Sequence, residues 1–383
     1  MDILVLGSGM MGRAIAYDLA SHSDFDKITI ADKNKKTIQD AEGILKNTEI
    51  IYDVLDLKKK QKVQECFKKH DIVVSAVPYS FNFFLTNIAI KTGCHFLDLG
   101  GNNDIVAKQR NLSDNAMDKN VTIVPDCGLA PGLTSVITKD IVEQLDKIDS
   151  VKHRVGGLPQ NPKSPFNYQI VFSPNGLINE YVEPAIVLDH GKIIKKKSMT
   201  EIEKIRFPRP FNELEAFLTS GGCSTLPYTY KNKIGYLDYK TIRYLGHCEK
   251  FKLLLDMGLG SEKPVSDGSK NIIPREFLID FIMDYIPTTG KDVVLLKTMA
   301  GGEKNGKKLD MEYTMIDYYD EKNNMTSMMR TTGFPVSIVA QMIEKQDINH
   351  RGVFCCEEIV PCGKFFNELK KRNIIIEKTA KVA

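Results

Sequence analysis

Short apolar runs alternate with amphipathic stretches along the first 132 residues of the chain. Between the runs, apolar residues recur at helical spacing, as at Met11, Ile15 and Leu19. Strands that alternate with helices in this way predict parallel pairing and a doubly wound α/β sheet. The predicted strands are residues 3–6, 28–31, 50–54, 71–77, 95–98 and 121–124.

The pattern changes after residue 132, where strand-like runs no longer alternate regularly with helices. Residues 293–296 lead through a glycine-rich turn at 301–306 into residues 311–315, which predicts an antiparallel hairpin. We therefore predict a second, α+β domain with a largely antiparallel sheet over residues 133–330. Helical spacing returns in residues 331–383, which we expect to form helices that pack back on the first domain.

Composition excludes several classes of protein. The 383 residues carry 52 basic and 49 acidic side chains, a balance that argues against a nucleic-acid partner. The sequence contains no run of about 18 apolar residues, so we predict no membrane span. A strand pattern begins at Ile3, so we do not expect the N-terminus to be a signal peptide. We expect a cytoplasmic protein that acts on a small molecule.

The eight cysteines include no C-x-x-C pair, which favours reduced thiols in a reducing compartment. Only Cys355, Cys356 and Cys362 cluster in the sequence, and they form a weak candidate for metal binding. We predict no metal site.

A glycine-rich turn, G-S-G-M-M-G at residues 7–12, lies between the first predicted strand and the first predicted helix. In this context the spacing is typical of a Rossmann dinucleotide site. Gly7 permits the tight turn, Gly9 lets a pyrophosphate approach the backbone, and Gly12 lets helix and strand pack closely. The N-terminus of the helix offers free N–H groups and a partial positive charge to the phosphates.

Asp32 ends the second strand, 20 residues after Gly12. A carboxylate there accepts hydrogen bonds from the adenosine ribose and repels a 2′-phosphate, so we predict NAD rather than NADP. Three nearby lysines leave NADP open, since a cation can bind the phosphate; they are Lys33, Lys35 and Lys36.

Two further loops follow strands at the edge where such sheets bind ligands. In the second loop, cofactor binding has two alternatives: Gly100 and Gly101 could form a flexible turn, and Asp98 could cap a helix. The predicted cofactor-binding residues are Gly7, Ser8, Gly9, Met10, Met11, Gly12, Asp32, Ala76, Val77, Pro78, Asp98, Gly100 and Gly101.

Three motifs carry a resemblance to a known family: DIVVSAVPY at 71–79, DLGGN at 98–102 and DCGLAPGLT at 126–134. With them the chain resembles the saccharopine dehydrogenase family, in its reductase-like branch. Later motifs look most like those of L-lysine 6-dehydrogenases; they lie at 155–159, 172–181, 219–227, 240–247 and 331–340. The chain is shorter than the saccharopine reductases, which carry extra helical insertions.

The resemblance implies NAD-dependent oxidation of the lysine side-chain amine, with hydride transfer from the ε-carbon to the nicotinamide. The imine then hydrolyses to ammonia and an aldehyde, 2-aminoadipate 6-semialdehyde, which cyclises with the α-amine. It also implies an N-terminal Rossmann domain and a substrate domain that forms a homodimer or a higher homo-oligomer.

Such a reaction needs a proton acceptor, a cation for the α-carboxylate and an acceptor for the α-ammonium. Arg243 is the first candidate for the carboxylate and Arg154 the second, with a surface ion pair as the alternative for Arg243. The candidates for proton transfer are Asp126, His153 and His247. The candidates for the amino-acid end are Tyr168, Asn175, Glu180, Ser224 and Thr225. Structural or turn-forming roles remain open for all of these.

Two other functions fit the same residues. One keeps the chemistry but takes a secondary amine, such as saccharopine or carboxynorspermidine, with NAD or NADP. The other is a protein that senses NAD(H) without turnover.

Overall fold

The computed structural model describes residues 1–45, 48–266, 268 and 271–382. The chain forms two compact units. The first comprises residues 1–140 and 329–374, and the second comprises residues 141–328 and the chain from 375 onward. Within the described ranges, every helix is too short or too polar to cross a membrane.

The elements up to α7 are β1 (Asp2–Leu6), α1 (Met10–His22), β2 (Lys27–Asp32), α2 (Lys35–Ile44), β3 (Ile51–Val54), α3 (Lys60–Phe67), β4 (Ile72–Ser75), α4 (Asn82–Thr92), β5 (His95–Asp98), α5 (Asn103–Arg110), α6 (Ser113–Asp118), β6 (Thr122–Val124) and α7 (Leu133–Gln144). Then follow β7 (Lys147–Pro159), α8 (Pro174–Val182), β8 (Ala185–Asp189), β9 (Lys192–Lys196), β10 (Glu203–Phe207), β11 (Asn212–Leu218), α9 (Leu226–Tyr230), β12 (Ile234–Arg243), α10 (His247–Asp256), β13 (Val265–Ser266), β14 (Asn271–Ile272) and α11 (Pro274–Tyr285). The last are β15 (Asp292–Lys304), β16 (Lys307–Tyr318), α12 (Ser327–Glu344), β17 (Gly352–Val353), α13 (Cys356–Ile359), α14 (Cys362–Lys371) and β18 (Glu377–Val382).

The first unit is built on a seven-stranded parallel sheet in the order β17-β6-β5-β4-β1-β2-β3. Residues 3–6 of β1 are at most 1% exposed, which explains their continuous apolar run. Strand β1 pairs with both β2 and β4, so the chain order reverses beside it. Ligands of such sheets bind beyond the carboxyl ends of the strands at this reversal. The predicted doubly wound sheet is confirmed.

The second unit contains a nine-stranded mixed sheet with the main path β10-β11-β12-β7-β15-β16-β18. Only β7 and β12 pair in parallel, so the predicted largely antiparallel α+β architecture is confirmed. A core of aromatic and aliphatic side chains includes residues from α8, α10 and α11, among them Tyr181, Phe251 and Leu278. Arg243 ends β12 within this unit.

The predicted hairpin exists, but its turn is shorter than the predicted 301–306 segment. Strand β15 continues to Lys304 and β16 starts at Lys307. Gly301 and Gly302 lie inside β15, where the pairing with β7 shifts register. A Cβ atom on Gly302 would lie 2.2 Å from the carbonyl oxygen of Lys147. Gly302 therefore allows close approach of the strand to Lys147, and neither glycine forms the turn.

The tail differs in one respect from the predicted set of helices. Helices α12 and α14 form as expected. Residues 377–382 instead form strand β18, which pairs antiparallel with β16 in the second unit. All six residues of β18 are exposed, so no buried apolar face marks this strand in the sequence. Its backbone hydrogen bonds to β16 hold it in place.

Candidate functional site

The glycine turn after β1 is shaped by close backbone contacts. Gly7 has a φ of +93°, and a Cβ atom there would lie 2.8 Å from the carbonyl oxygen of Ala76. A Cβ atom on Gly12 would lie 1.8 Å from the carbonyl oxygen of Gly7. A Cβ atom on Gly9, by contrast, would have no described atom within 4 Å. Gly7 and Gly12 thus serve packing, whereas Gly9 borders open space.

Helix α1 starts directly beyond this turn. Met10 and Met11 form its half-buried first residues. Gly9 occupies the N-cap position, and no described side chain caps the helix. The Ser8 hydroxyl is buried and makes no hydrogen bond to the described residues. Free N–H groups, a helix dipole and open space at Gly9 together fit the pyrophosphate of a dinucleotide.

Asp32 lies at the end of β2, as predicted, and its carboxylate is held by two backbone groups. The N–H of Ser8 donates to Oδ2 at 2.9 Å, and the N–H of Asn34 donates to Oδ1 at 2.9 Å. Both bonds fix a negative charge beside the glycine turn, where a ribose would bind. The lysines that follow are exposed: Lys33, Lys35 and Lys36.

The loop after β4 contacts the glycine turn directly. The Ala76 N–H donates to the carbonyl oxygen of Leu6 at 2.8 Å. A Cβ atom on Gly7 would meet Ala76 and Val77 within 3.1 Å, and Pro78 next along the loop is exposed. The structure therefore brings the predicted loop residues 76–78 beside the predicted phosphate site.

Asp98 is enclosed by its own loop. It is 0% exposed, its Oδ1 accepts the Gly100 N–H at 2.7 Å, and its Oδ2 accepts from Nε2 of Gln109 at 2.7 Å. Burial raises the pKa of this carboxyl group. Both oxygens are thus occupied, so the geometry favours a role in shaping the loop over direct contact with a dinucleotide.

Asp126 adjoins this loop at the carboxyl end of β6. Its φ is +61°, and its side chain is 2% exposed. A Cβ atom on Gly100 would lie 1.9 Å from Oδ1 of Asp126, so only glycine fits there. Gly101 follows with a φ of +116°. The structure therefore brings Asp126, Gly100 and Gly101 together at the ligand-binding edge of the sheet.

The cysteine cluster does not gather around one point. Cys356 lies 3.4 Å from the Cys127 sulfur, Cys355 contacts Arg110, and Cys362 contacts the Val136 carbonyl oxygen. All eight cysteines are described, and they are buried and form no disulfide.

Arg243 carries a buried charge that forms no ion pair within the described part of the chain. It is 2% exposed; its Nε–H donates to the Tyr181 hydroxyl at 3.0 Å, and Nη1 donates to the Ile242 carbonyl oxygen at 2.9 Å. The Tyr168 ring lies 4.7 Å from its Cζ atom. Among the described residues, no carboxylate forms an ion pair with it. A buried charge with only neutral partners is costly, which is typical of a site for an anionic ligand.

Arg154, the second candidate, is fully neutralised. Its Nη1 and Nη2 donate to the two oxygens of Asp238 at 2.7 and 3.1 Å, and its Nε donates to Glu203. It is 1% exposed. These contacts make Arg154 part of an internal ion network and leave Arg243 as the better carboxylate site.

Glu180 brings an opposite charge to the surroundings of Arg243. Its carboxylate makes no hydrogen bond or ion pair with the described residues. Loss of hydration raises its pKa to about 7, although the positive charge of Arg243 acts in the opposite direction. A cation and an acid that form no ion pair with the described residues are the two groups needed to bind the zwitterionic end of an amino acid.

The two candidate histidines are buried and poor bases. His153 is 0% exposed and its Nδ1 lies 2.8 Å from Oγ1 of Thr298; burial lowers its pKa to about 3. His247 is 1% exposed, and burial followed by the charge of Arg243 lowers its pKa to about 3. At neutral pH each of these rings stays neutral and does not take up a second proton, so the geometry does not favour the predicted proton-transfer roles.

The remaining candidates divide into two groups. Tyr168 is 2% exposed beside Arg243, and its hydroxyl makes no hydrogen bond to the described residues. Asn175 is exposed on α8. Ser224 has a φ of +39° and Thr225 is the N-cap residue of α9, so both belong to a turn. Tyr168 thus lies with Arg243, whereas the structure does not favour binding roles for the other three.

Tyr181 is the last residue of one family motif, but it was not among the site residues predicted from the sequence. It follows Leu177 and Ile178 at helical spacing, a pattern that indicates a core residue. The structure confirms its burial and also gives its hydroxyl a bond to Arg243. Only the tertiary contact reveals this second role.

Two family models match the chain over most of its length. Residues 3–124 match the saccharopine dehydrogenase NADP binding domain. Residues 128–375 match the saccharopine dehydrogenase C-terminal domain.

Curated relatives are distant in sequence. A saccharopine dehydrogenase [NADP(+), L-glutamate-forming] of Schizosaccharomyces pombe is 22% identical over 455 residues, which cover 98% of both chains. The mitochondrial alpha-aminoadipic semialdehyde synthase of Rattus norvegicus is 19% identical over 92% of this chain. That match covers 45% of the rat protein, so this chain corresponds to about half of it.

Solved structures share the fold. An apo saccharopine dehydrogenase (L-Glu forming) from Saccharomyces cerevisiae has a TM-score of 0.80 at 19% identity, over 100% of both chains. A homospermidine synthase from Legionella pneumophila, solved with NAD, has a TM-score of 0.65 at 13% identity, over 99% of this chain and 91% of the other.

Proposed function

Since the chain belongs to the saccharopine dehydrogenase family, we propose that it uses NAD to oxidise the side-chain amine of L-lysine. The family predicted from sequence motifs is thereby confirmed. In the proposed reaction, lysine, NAD⁺ and water give 2-aminoadipate 6-semialdehyde, ammonium, NADH and a proton; the aldehyde cyclises to a piperideine carboxylate with loss of water. The observation that carries the proposal is the buried Arg243 guanidinium, which has no ion-pair partner among the described residues.

Each unit supplies residues for one reactant. A bound nicotinamide dinucleotide supplies the hydride acceptor, and the turn at 7–12 with Asp32 binds its phosphates and ribose. Arg243 binds the lysine α-carboxylate, and Glu180 in its ionised form binds the α-ammonium.

The arginines of the second unit favour a substrate with one carboxylate. Arg154 is paired with Asp238 and Glu203, and Arg275 is bonded to Asn179. Two others are exposed, namely Arg206 and Arg209. In the described part of that unit, Arg243 is therefore the one buried arginine without a carboxylate or amide partner. Saccharopine carries three carboxylates, of which Arg243 would bind one, so the other two would need other donors.

The names of the relatives favour saccharopine as a second candidate substrate. Glutamate-forming oxidation of saccharopine also breaks a C–H bond at the lysine ε-carbon, so the two reactions differ only in the substituent on nitrogen. Carboxynorspermidine represents a third substrate of this kind. A protein that only senses NAD(H) is the alternative from another class.

A substrate panel tests these functions. Purified protein is mixed with L-lysine, L-ornithine, cadaverine, saccharopine or carboxynorspermidine, each with NAD and NADP, and absorbance in the NADH band is followed. We expect the highest kcat/KM with lysine and NAD. A preference for saccharopine would replace the proposal by the second candidate. Tight NADH binding without turnover of any amine would favour the sensor.

Asp32→Ala is expected to weaken NAD binding and to relax discrimination against NADP. The variant loses charge-assisted hydrogen bonds to the ribose, worth about 1.5–3 kcal/mol and hence about tenfold to a hundredfold in Kd. Calorimetry with both dinucleotides measures the change, and Asp118→Ala on the exposed face of α6 serves as the control. A wild type that prefers NADP would show that Asp32 does not select the cofactor.

The kcat/KM of the enzyme for lysine is expected to fall as pH drops through about 7. Glu180, whose pKa is raised to about 7, is mostly neutral below that pH and cannot attract the α-ammonium. Deprotonation of the lysine ε-ammonium produces a separate rise in kcat/KM at higher pH. Glu180→Gln should remove the inflection near 7, whereas Glu249→Gln, an exposed carboxylate on α10, should keep it. An unchanged profile in Glu180→Gln would assign the inflection to another group.

A further inference from the structure

A chain of hydrogen bonds leads from the start of helix α10 to the Arg243 guanidinium. The His247 Nδ1 lies 3.0 Å from the Phe166 carbonyl oxygen, and its Nε2 lies 3.0 Å from the Tyr181 hydroxyl. The Tyr181 hydroxyl in turn accepts the Nε–H of Arg243 at 3.0 Å. Three side chains from β12, α8 and α10 thus form one connected path.

The chemistry of each group sets the direction of every bond in this path. A carbonyl oxygen only accepts, so Nδ1 of His247 carries the proton that bonds to Phe166. In a neutral imidazole Nε2 then accepts, and the Tyr181 O–H donates to it. The free lone pairs of the same hydroxyl accept from Arg243, which only donates. No link can be reversed while His247 stays neutral.

The surroundings of His247 keep its ring in one orientation. It stacks on Phe251 at 5.4 Å and on Phe217 at 6.3 Å between ring centroids. Glu215 accepts the N–H groups of Gly246 and Cys248 at 2.8 and 2.6 Å, which anchors the residues on either side of the histidine. The imidazole is therefore held both through its ring and through its backbone.

The path leaves a defined part of Arg243 for a ligand. Nε is taken by Tyr181, and one hydrogen of Nη1 is taken by the Ile242 carbonyl oxygen. Nη2 makes no hydrogen bond to the described residues. A carboxylate can then form two parallel bonds only end-on, to Nη1 and Nη2, and not along the Nε side.

We propose that Tyr181 and His247 are positioning residues that hold Arg243 for end-on binding of the substrate carboxylate. The inference rests on the proposed function in that Arg243 is taken to bind the lysine α-carboxylate. Neither Tyr181 nor His247 contacts the substrate; both act through the guanidinium. Their contribution lies in removing the other orientations that a long, flexible side chain would otherwise sample.

The kinetic test uses Tyr181→Phe, which keeps the ring and removes the hydroxyl. We expect KM for lysine to rise about tenfold, while kcat changes less. A factor of about ten corresponds to the lower limit of the free energy of one charge-assisted hydrogen bond. Oxidation of cadaverine, which has no carboxylate, should be unaffected. Tyr244→Phe is the matched control, because the Tyr244 hydroxyl bonds to the Pro159 carbonyl oxygen and not to Arg243.

A second pair of variants guards against loss of folding. His247→Phe keeps a ring in the aromatic cluster but removes the acceptor for Tyr181, and it should raise KM for lysine by a smaller factor than Tyr181→Phe. His247→Gln restores an acceptor and should recover part of the loss. Equal effects of Tyr181→Phe on lysine and cadaverine, or effects no larger than those of Tyr244→Phe, would overturn the proposal.

A spectroscopic measurement separates this proposal from the proposed function. In ¹⁵N-resolved NMR spectra without substrate, the buried Nε–H of Arg243 should exchange slowly with water, and its resonance should shift in Tyr181→Phe. The resonance is assigned by its loss in Arg243→Lys. If lysine is not oxidised but the shift occurs, the proposed function fails and the positioning path stands. If Tyr181→Phe leaves both the shift and the exchange rate unchanged, the path itself is wrong.

Discussion

In an Arg243→Ala variant, the ratio of kcat/KM for lysine to kcat/KM for cadaverine is expected to fall by about tenfold to a hundredfold. Lysine and cadaverine share the reacting amine and differ only in the α-carboxylate. A charge-assisted hydrogen bond to that carboxylate is worth about 1.5–3 kcal/mol, and about 1.4 kcal/mol corresponds to a factor of ten. The measurement is kcat/KM for both compounds in the wild type and the variant.

Two further variants sharpen this result. Arg243→Lys keeps a positive charge but loses the planar fork, so we expect an intermediate preference. Arg206→Ala removes an exposed arginine of the same unit and should leave the preference unchanged. Equal losses on both compounds, or none on either, would make Arg243 a structural residue and place the carboxylate site elsewhere.

A Gly9→Val variant is expected to fold and to bind NADH at least about a hundredfold more weakly, the cost of two lost charge-assisted bonds. Gly9 has a φ of −69°, which valine tolerates, and its Cβ would have no described atom within 4 Å. The branched side chain instead occupies the space where the pyrophosphate approaches. Calorimetry with NADH and a thermal melt measure binding and folding separately.

Gly12→Val provides the contrasting control within the same turn. Its Cβ would lie 1.8 Å from the carbonyl oxygen of Gly7, so this variant should lower the melting temperature as well as binding. Unchanged NADH affinity in a folded Gly9→Val protein would show that the dinucleotide does not use this turn.

Features with local causes were predictable from the sequence. The glycine turn and Asp32 follow from backbone sterics and from fixed spacing within one βαβ unit, and the structure places them as expected. Buried strands such as residues 3–6 and amphipathic helices such as α1 follow from periodicity. The exposed strand β18 has neither signal and was missed, since only pairing with β16 defines it.

The amino-acid end of the candidate site depended on contacts between distant residues. Arg154 and Arg243 both lie in strands, and position within a family motif made Arg243 the first candidate, but the sequence did not show which of the two is neutralised by a partner. Asp238 lies 84 residues from Arg154 along the chain, and its pairing with that arginine is visible only in the folded protein.

The sequence by itself determined the family, the dinucleotide turn and the two kinds of sheet, because these depend on short-range spacing and apolar periodicity. Tertiary structure alone decided which charged groups form no ion pair with the described residues and which histidines are too buried to become cations. Those properties arise from desolvation and from partners far apart in the chain. For this reason the proposals that Arg243 and Glu180 bind the substrate and that His247 positions Arg243 rest on contacts and burial that only the folded protein shows.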